Sequence, residues 1–354
     1  MKPGLELELE IVSITYGGAG LARHEGCVVF VPFTIPGEQV RARITRVRRG
    51  WAQAQLVKVT TPSPDRVAPP CPWFTRCGGC AYQHIAYPRQ LGIKSGQVDE
   101  ALRRIGKFAD PPVEPSLPSP LDYGYRNRIT VHVEPPNIGF RGTDPREVID
   151  LDRCLLASEA VNTALARLRA KRYWRPGPAT LRANPEARGF RQVNAGAAEI
   201  LAAVVIEMAG SGELLVDAYC GAGFFAKKLQ TSFKRVIGLD WDERSITAAA
   251  QDAEAHEDYR MGDTAELLSA ALGPAATTVV LLDPPAQGLE PSVIDILLGA
   301  RPARVIYVSC DPATLARDLS RLATGYELVR AAPVDMFPQT ASIETACLLI
   351  ASAS

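Results

Sequence analysis

From about residue 192 to the end of the sequence, short apolar runs alternate with segments of helical periodicity, and this alternation restricts the folds that the chain can adopt. The apolar runs predict strands near 213–218, 235–240, 278–283, 304–310, 326–331 and 345–351. The segments between them predict helices near 194–208, 222–231, 243–255, 291–299 and 312–322. This order is typical of a doubly wound α/β sheet, which binds ligands at the carboxyl ends of its strands.

The first 60 residues follow a different pattern. Short alternating or β-branched runs lie at 5–12, 28–32, 39–47 and 52–59, and glycine-rich turns such as 17–20 separate them. Short strands at regular spacing predict a small β-barrel.

Basic residues are concentrated in the first half of the chain, although the formal net charge is zero. Residues 1–191 hold 28 basic and 18 acidic residues, whereas residues 192–354 hold 11 and 21. Arg41 and Arg43 alternate along one predicted strand, so both side chains extend from the same face. The pattern indicates a polyanionic partner, most simply nucleic acid. A strand edge protected by charge, or two domains that merely differ in charge, would produce the same pattern.

The composition excludes several classes of protein. A hydrophobic content of 47% with 22% charged residues is that of a globular protein, so a disordered or fibrous chain is excluded. No apolar run approaches the roughly 18 to 20 residues that a membrane span needs, and the N-terminus lacks the apolar core of a signal peptide. We therefore expect a soluble, cytoplasmic monomer without a membrane partner.

Eight cysteines are too few for a disulfide scaffold, but three of them lie within ten residues: Cys71, Cys77 and Cys80. In a cytosolic chain this spacing indicates a metal or catalytic site before it indicates disulfides. A helix is predicted at 87–104. Residues 121–154 alternate again, which predicts a second, small β-rich insert whose last residue is Cys154.

The first predicted strand of the C-terminal half ends in an acidic residue and a Gly-x-Gly turn. Asp217 closes the apolar run, and the glycines Gly221 and Gly223 allow a nucleoside-bearing ligand to approach the backbone closely. Asp240 closes the next strand and is placed to bond ribose hydroxyls. The third glycine of the dinucleotide fingerprint is missing, so the turn suits S-adenosylmethionine equally well. An ordinary tight turn would contain the same two glycines.

Two later strands end in side chains that can take part in chemistry. Asp283 is followed by two prolines, which stiffen the loop at the carboxyl edge of the sheet. Cys310 ends the next strand directly before a helix, whose positive end favours a thiolate. Most cysteines are simply small buried apolar residues, so the position alone does not identify a nucleophile.

Taken in order along the chain, these motifs resemble those of the RNA uracil-5-methyltransferase family. The similarity is to its iron–sulfur branch with an N-terminal TRAM domain, such as the 23S rRNA (uracil-5-)-methyltransferases. The matching segments are 71–80 with Cys154, 192–194, 217–223, 283–285, 308–318 and 337–345. The match covers nearly the whole chain, and the joint occurrence of the motifs in this order is highly specific.

The resemblance implies a multidomain α/β protein. It places a TRAM- or OB-like RNA-binding β-barrel at 1–62, a central iron–sulfur and β-rich region at 63–185, and a Rossmann-like S-adenosylmethionine-dependent methyltransferase domain at 186–354. The residues that it implies for cofactor binding are Gln192, Tyr219, Gly221, Gly223, Asp240, Asp263 and Asp283. For Gln192 a solvated position at a helix start remains an alternative, and for Asp263 a helix N-cap does.

The resemblance also implies a [4Fe–4S] cluster, with the ligands Cys71, Cys77, Cys80 and Cys154. Four thiolates suit iron–sulfur or zinc, but zinc sites of this kind usually consist of two Cys-x2-Cys pairs. The 73 residues between the third and fourth cysteines are less typical of zinc. The Cys-x3-Cys-x2-Cys spacing of radical enzymes is absent, which favours a structural or RNA-shaping cluster. Unligated structural cysteines remain an alternative.

The activity implied is methylation of uridine C5 in structured RNA, with ribosomal RNA favoured over transfer RNA. Uracil C5 is too weak a nucleophile to attack a methyl sulfonium, so Cys310 would first add to C6, and Glu344 would later remove the C5 proton. The uridine must be flipped out of any stack. The alternatives are a methyltransferase for another base or for DNA, and a non-catalytic iron–sulfur RNA-binding protein that kept the fold.

Several positions depart from the family pattern. Ala286 replaces a common arginine, Asp311 replaces a common asparagine, and Phe224 follows the Gly-x-Gly turn. These departures bear on RNA contacts and loop packing. The chain is also short for the family, which indicates trimming after Cys80 and around 170–190. We further expect residues 125–127 (Tyr125, Arg126 and Asn127) to lie near the substrate.

Overall fold

The structure is a computed structural model, and it describes residues 1–171, 173–184 and 192–352. The chain divides into two compact units. Unit 1 comprises Met1–Ile93, Leu121–Pro185 and Phe337–Ser342, and unit 2 comprises Lys94–Pro120, Glu186–Met336 and Ile343–Ser354. The boundaries 1–62, 63–185 and 186–354 stay predictions. Of the linker around 170–190 that we expect to be trimmed, residues 172 and 185–190 lie outside the described residues.

Six strands at the start of unit 1 form one sheet: β1 (Glu6–Glu10), β2 (Ser13–Ile14), β3 (Ala19–His24), β4 (Cys27–Pro32), β5 (Gln39–Arg48) and β6 (Trp51–Thr61). Their order is β1-β5-β6-β4-β3-β2, and β4 and β6 are parallel. Val40, Ala42 and Ile44 of β5 are buried and alternate with exposed residues, so one face of the sheet forms a core. The sequence analysis missed β2 and β3, because the glycines at 17–20 were interpreted entirely as a turn.

The rest of unit 1 contains the first part of a helix that continues into unit 2, and a second sheet with another helix packed on it. The helix α1 (Tyr87–Arg104) has the predicted bounds. The sheet has the order β10-β7-β8-β9 and consists of β7 (Arg128–Glu134), β8 (Asn137–Arg141), β9 (Val148–Asp150) and β10 (Gly177–Arg182). Apolar residues of β7 share a buried cluster with Val161 and Leu165 of α2 (Glu159–Arg169). The β-rich insert predicted at 121–154 is confirmed, and β10 extends it.

Unit 2 contains a seven-stranded sheet of order β13-β12-β11-β14-β15-β17-β16. Its strands are β11 (Gly212–Ala218), β12 (Phe233–Asp240), β13 (Glu257–Met261), β14 (Thr278–Leu282), β15 (Arg304–Ser309), β16 (Tyr326–Val334) and β17 (Glu344–Ala351). Among the described strands of this sheet, β17 runs in the opposite direction to the other six. The predicted doubly wound sheet is therefore confirmed.

Helices connect the strands of this sheet: α3 (Ala195–Ala209), α4 (Phe224–Leu229), α5 (Glu243–Ala250), α6 (Thr264–Ala271), α7 (Pro291–Ala300) and α8 (Pro312–Leu322). The sequence order reverses on either side of β11, so the carboxyl ends of β11 and β14 border the crevice where such folds bind ligands. Among the described residues, no helix combines the length and apolar content that crossing a membrane requires.

Candidate active site

The turn after β11 has the backbone conformation that the glycine pair predicts. Gly221 and Gly223 have φ angles of 53° and 78°, and Tyr219 also lies in the left-handed region at 66°. A Cβ added at Gly223 would lie 3.0 Å from the hydroxyl oxygen of Tyr259. The turn thus needs its glycines, and it leaves backbone groups open to a ligand.

Asp240 at the end of β12 holds this turn in place. Its Oδ2 accepts a hydrogen bond from the Gly221 N–H at 2.8 Å, and its Oδ1 accepts one from the Asp242 N–H at 2.9 Å. The carboxylate can still accept further bonds, as contact with ribose hydroxyls requires. The next residue, Trp241, is 76% exposed. The sequence motifs did not single out Trp241, although an aromatic residue directly after the acidic residue that ends a strand can be recognised from the sequence.

Asp217 is a second acidic residue of the crevice to which the sequence analysis gave no role. It is fully buried, its Oδ2 accepts a bond from the Ala226 N–H at 3.0 Å, and its Oδ1 has no hydrogen-bond partner among the described residues. Burial raises the pKa of Asp217 well above its usual range, and the nearby Asp283 and Asp240 raise it further. The structure therefore brings three carboxyl groups of this edge together.

Two other predicted cofactor residues lie near helix starts. Asp263 is exposed and caps α6, because its Oδ1 accepts a bond from the Glu266 N–H at 3.0 Å. The capping alternative is thus confirmed. Asp263 also contributes to raising the pKa of Tyr219, which burial raises to about 12, so the two residues lie close together. Gln192 is half-buried three residues before α3, and its role stays a prediction.

The reactive side chains meet at neighbouring strand ends. Asp283 directly follows β14, Cys310 directly follows β15, and Glu344 begins β17. The strand β15 pairs with both β14 and β17, which brings the three residues together. Burial, followed by the charges of Glu344 and Asp283, raises the pKa of Cys310 to about 11. Sequence reasoning thus selected a set of residues that the fold assembles.

The two carboxyl groups of this set are themselves perturbed. Burial raises the pKa of Asp283 to about 7. Glu344 is only 7% exposed, and burial followed by the charge of Asp283 raises its pKa well above the usual range. Glu344 is therefore a buried residue at the start of β17, and it is not a solvent-exposed glutamate in a loop.

The expectation that the helix after Cys310 favours a thiolate is wrong for this chain. Asp311 caps α8, with its Oδ1 accepting bonds from the N–H groups of Ala313 at 2.9 Å and Thr314 at 2.8 Å. The carboxylate thus occupies the positive end of the helix. Burial raises the pKa of Cys310 most, the charges of Glu344 and Asp283 come next, and the charge of Asp311 makes a smaller contribution. The asparagine common in the family would cap the helix without that charge.

The loop after Asp283 is held at its end by the α8 helix, although Ala286 itself is exposed. Gly288 has a φ of 79°, and a Cβ at this position would collide with the Asp318 carboxylate. The buried Asp318 accepts bonds from the Leu289 N–H at 2.8 Å and the Tyr307 hydroxyl at 2.9 Å. The α8 helix thus fixes the loop without an arginine at position 286.

The four cysteines chosen as cluster ligands lie in one neighbourhood of unit 1. Burial, with a smaller contribution from the other three thiols, raises the pKa of Cys80 to about 12, although a hydrogen bond from Gln83 opposes the shift. Gln83 donates from Nε2 to the Cys80 Sγ at 3.1 Å, and its Oε1 accepts a bond from the Cys71 N–H at 3.3 Å. Within the described ranges, no group of three or more His, Cys, Asp or Glu residues is arranged to hold a metal ion.

The arginines of β5 extend from one face, as predicted. The strand lies between β1 and β6, so the alternative of a charged edge strand is wrong. Glu6 of β1 forms an ion pair with Arg43, at 2.7 Å between Nη2 and Oε1, and a longer one with Arg41 at 3.7 Å. The acidic neighbour therefore offsets part of the positive charge that a phosphate backbone would meet.

The residues expected near the substrate contact a segment that precedes Glu344. Tyr125 is buried and donates from its hydroxyl to the Pro338 carbonyl oxygen at 3.0 Å. The Arg126 guanidinium lies over the Phe337 ring, 5.9 Å from its centroid. Their nearness to RNA stays a prediction.

Comparison with known proteins agrees with this assembly. A family model described as tRNA (Uracil-5-)-methyltransferase matches residues 265–352, and a TRAM domain model matches residues 2–57. An uncharacterized RNA methyltransferase of Nitratidesulfovibrio vulgaris is 34% identical over 98% of this chain and 96% of its own length. Another uncharacterized RNA methyltransferase, from Gloeobacter violaceus, is 33% identical over 98% of this chain and 96% of its own length. The first alignment spans 449 positions, so this 354-residue chain lacks segments that the relative has.

A solved structure shows the same fold. It is the tRNA (uracil-54, C5)-methyltransferase of Pyrococcus abyssi in complex with S-adenosyl-L-homocysteine, with a TM-score of 0.73 and 22% identity, covering 97% of this chain and 100% of that one. The N-terminal TRAM domain, the methyltransferase sheet and the homologous sequences lead to one assignment. The chain belongs to the RNA (uracil-5-)methyltransferase family with an N-terminal TRAM domain, and it is an S-adenosylmethionine-dependent RNA methyltransferase.

Proposed function

We propose that the protein methylates C5 of uridine in structured RNA, with ribosomal RNA as the favoured substrate. The observation that carries the proposal is the meeting of Cys310, Glu344 and Asp283 at the ends of three neighbouring strands. A thiol beside two carboxyl groups of raised pKa suits a reaction that needs a nucleophile and a base. Methylation of an exocyclic amine needs no such thiol.

The crevice after β11 and β12 would hold the cofactor. S-adenosylmethionine, when bound, supplies the methyl group as part of a sulfonium cation. The left-handed turn at Gly221 and Gly223 leaves room for a nucleoside, and the Asp240 carboxylate suits ribose hydroxyls. The full set of proposed contacts is Gln192, Tyr219, Gly221, Gly223, Asp240, Asp263 and Asp283.

Cys310 would start the reaction by losing its proton to the adjacent Asp283, whose pKa of about 7 suits an acceptor near neutral pH. The thiolate sulfur then bonds to C6, and the electron pair of the C5–C6 double bond moves toward C5 and O4. C5, now nucleophilic, would take the methyl group, and the electron pair of the broken S–CH3 bond would stay on the cofactor sulfur, which leaves the neutral thioether. A flipped-out uridine gives the sulfur access to C6 from above the plane of the base.

Glu344 would complete the reaction. Its carboxylate takes the proton from C5, the electron pair restores the C5–C6 double bond, and the bond between C6 and Cys310 breaks to return the thiolate. The buried position favours the protonated form of Glu344, because burial raises its pKa. This environment makes its carboxylate a stronger base than an exposed one.

We further propose that Cys71, Cys77, Cys80 and Cys154 hold a [4Fe–4S] cluster. The thiols raise one another's pKa, which supports a common site. Four thiolates are the ligand set that a [4Fe–4S] cluster takes in proteins. Its expected contribution is structural, because it would link the 71–80 loop to the segment around Cys154.

A covalent trapping experiment tests the proposal. Anaerobically purified protein is incubated with S-adenosylmethionine and 5-fluorouridine-substituted total RNA, and the products are resolved on a denaturing gel. Fluorine at C5 cannot leave as a proton, so the enzyme should remain attached to RNA through Cys310. The Cys310→Ala variant should give no adduct, whereas Cys27→Ala, which changes a half-buried cysteine of β4, should give the wild-type amount.

Sequencing the attached RNA would identify the modified uridine and distinguish ribosomal from transfer RNA. An absence of adduct in protein that binds S-adenosylmethionine would contradict C5 methylation through Cys310. It would favour an RNA-binding protein, or a base that needs no covalent activation.

A further inference from the structure

The loop between β16 and β17 contains a residue held in an unusual conformation. Gln339 has a φ of 68°, in the left-handed region that few residues other than glycine adopt, and its side chain is buried, because the residue is only 3% exposed. Such a conformation persists where surrounding contacts fix it. Gln339 precedes Glu344 by five residues in the sequence.

Gln90 of α1 provides two of these contacts. It is fully buried, its Oε1 accepts a bond from the Gln339 N–H at 3.1 Å, and its Nε2 donates to the Gln339 Oε1 at 2.9 Å. The same Nε2 lies within hydrogen-bond distance of the carbonyl oxygens of Ile85 at 2.8 Å and Tyr82 at 3.2 Å. The amide of Gln90 is therefore fixed in one orientation, and it holds both the backbone and the side chain of Gln339.

The carbonyl oxygen of Gln339 is held from another direction. It accepts bonds from the N–H groups of Ala81 and Tyr82, each at 3.0 Å. These two residues directly follow Cys80. The neighbouring Pro338 carbonyl oxygen accepts the bond from Tyr125. The middle of the loop is thus fixed by hydrogen bonds from three separate parts of unit 1.

We propose that Gln90 and Gln339 form a clamp that positions Glu344 for removal of the C5 proton. Both are positioning residues, because they act through the five residues of backbone that lead to Glu344. The inference rests on the proposed function. Cys310 follows β15, outside this loop, so the clamp should affect proton removal and release far more than addition and methyl transfer. A displacement of about 1 Å at a reacting group can slow a step roughly 100-fold.

The test separates the two halves of the reaction. Wild type, Gln90→Met and Gln339→Met are mixed in excess with uridine-containing substrate RNA and S-adenosylmethionine labelled in the methyl group. Samples quenched over time give the methyl incorporated into RNA and the fraction of RNA attached to protein on a denaturing gel. Methionine keeps the length of glutamine but removes its hydrogen bonds. Glu344→Gln, which removes the base, marks full accumulation of the adduct.

We expect both clamp variants to transfer the methyl group within about threefold of the wild-type rate and to release RNA roughly 10- to 100-fold more slowly, with methylated adduct accumulating. Gln90→Met removes more hydrogen bonds and should have the larger effect. Gln339→Met removes a single side-chain bond, so it tests the inference even if Gln90→Met fails to fold.

Val29→Ala is the control, since it creates a cavity in a buried cluster of the first sheet that contains no residue of the loop between β16 and β17. Adduct accumulation in this variant would attribute the effect to lost stability and overturn the inference. So would clamp variants that slow methyl transfer and release equally, while Glu344→Gln still accumulates adduct. If Glu344→Gln also gave none and Cys310→Ala still methylated RNA, the proposed function itself would be wrong.

Discussion

Each ionisable residue around Cys310 changes the chemistry of its neighbours. Asp283 and Glu344 both raise the pKa of the thiol, and Asp283 raises that of Glu344. The site without its ligands therefore favours the neutral thiol. Asp311 adds to this effect, and it is the member of the group where this chain departs from the family pattern.

Asp311→Asn should increase the reactivity of Cys310. Asparagine caps helices about as well as aspartate, so α8 should keep its N-cap while the negative charge beside the thiol is lost. Loss of that charge lowers the pKa of Cys310 slightly, because Asp311 is the weakest of the influences that raise it, and alkylation by iodoacetamide at pH 8 should become about two- to threefold faster. The rate is measured on the Cys310 peptide by mass spectrometry.

Asp242→Asn provides the control for this measurement. Asp242 caps α5 through the Ser245 N–H at 3.1 Å, so the same chemical change is made at another helix start. Equal alkylation of Cys310 in wild type and Asp311→Asn would show that the Asp311 charge does not reach the thiol.

At the scale of elements, charge is balanced between adjacent strands of the first sheet. Glu6 and Glu8 of β1 lie opposite Arg43 and Arg41 of β5 in the strand register. Surface ion pairs of this kind contribute little to stability, so their main effect is on the charge that the sheet presents. The RNA affinity of this sheet should therefore depend on β1 as well as on β5.

Glu6→Gln should strengthen RNA binding, because it releases Arg41 and Arg43 from their ion pairs. We expect a roughly two- to fivefold lower Kd near 0.1 M salt and a plot of log K against log salt that is steeper by about one unit. Filter binding over a salt series measures both. Glu10→Gln makes the same change in net charge opposite Gln39, and an equal gain there would attribute the effect to net charge alone.

The elements that the sequence predicted well are those with a strong apolar pattern. The strands β11 and β14 are buried on both faces and appear as continuous apolar runs. The strand β13, with the sequence EDYRM at the sheet edge, has no such run, and both it and α6 were missed. Asp283 and Cys310 were recognised as strand-end residues, whereas Glu344 required a resemblance to a known family.

Contacts between distant residues could not be predicted from the sequence. The bonds from Gln90 to Gln339, and the charges of Glu344 and Asp283 beside the Cys310 thiol, depend on how the chain folds back on itself. Periodicity and capping patterns report only on neighbours within about one helical turn or strand.

At the scale of the whole molecule, the site reduces stability because it brings carboxyl groups together in a buried place. The pKa of Asp283 is about 7 in the folded protein and about 4 in an unfolded chain, so the folded state holds its proton more tightly. The stability that protonated Asp283 contributes to the folded state is therefore complete below about pH 4, and it is lost as the pH rises to about 7.

Asp283→Asn removes this titration, so the melting temperature of the variant relative to wild type should rise by a few degrees between about pH 4 and pH 7 and change little above. Thermal unfolding at a series of pH values tests this. Asp295→Asn, an exposed change on α7, should show no such trend. If the difference in melting temperature between Asp283→Asn and wild type stayed constant from about pH 4 to pH 7, the raised pKa of Asp283 would be contradicted.

The hydrogen bonds between Gln90 and Gln339 can form only late in the synthesis of this part of the chain. Gln90 and Gln339 are 249 positions apart, and at about 5 to 20 residues per second the ribosome needs roughly 12 to 50 s to travel between them. Throughout that time the N-terminal segments of unit 1 exist without Phe337–Ser342. The loop that leads to Glu344 can therefore be fixed only after Phe337–Ser342 have been synthesised. With the proposed function, a nascent enzyme would not release methylated RNA efficiently before that point.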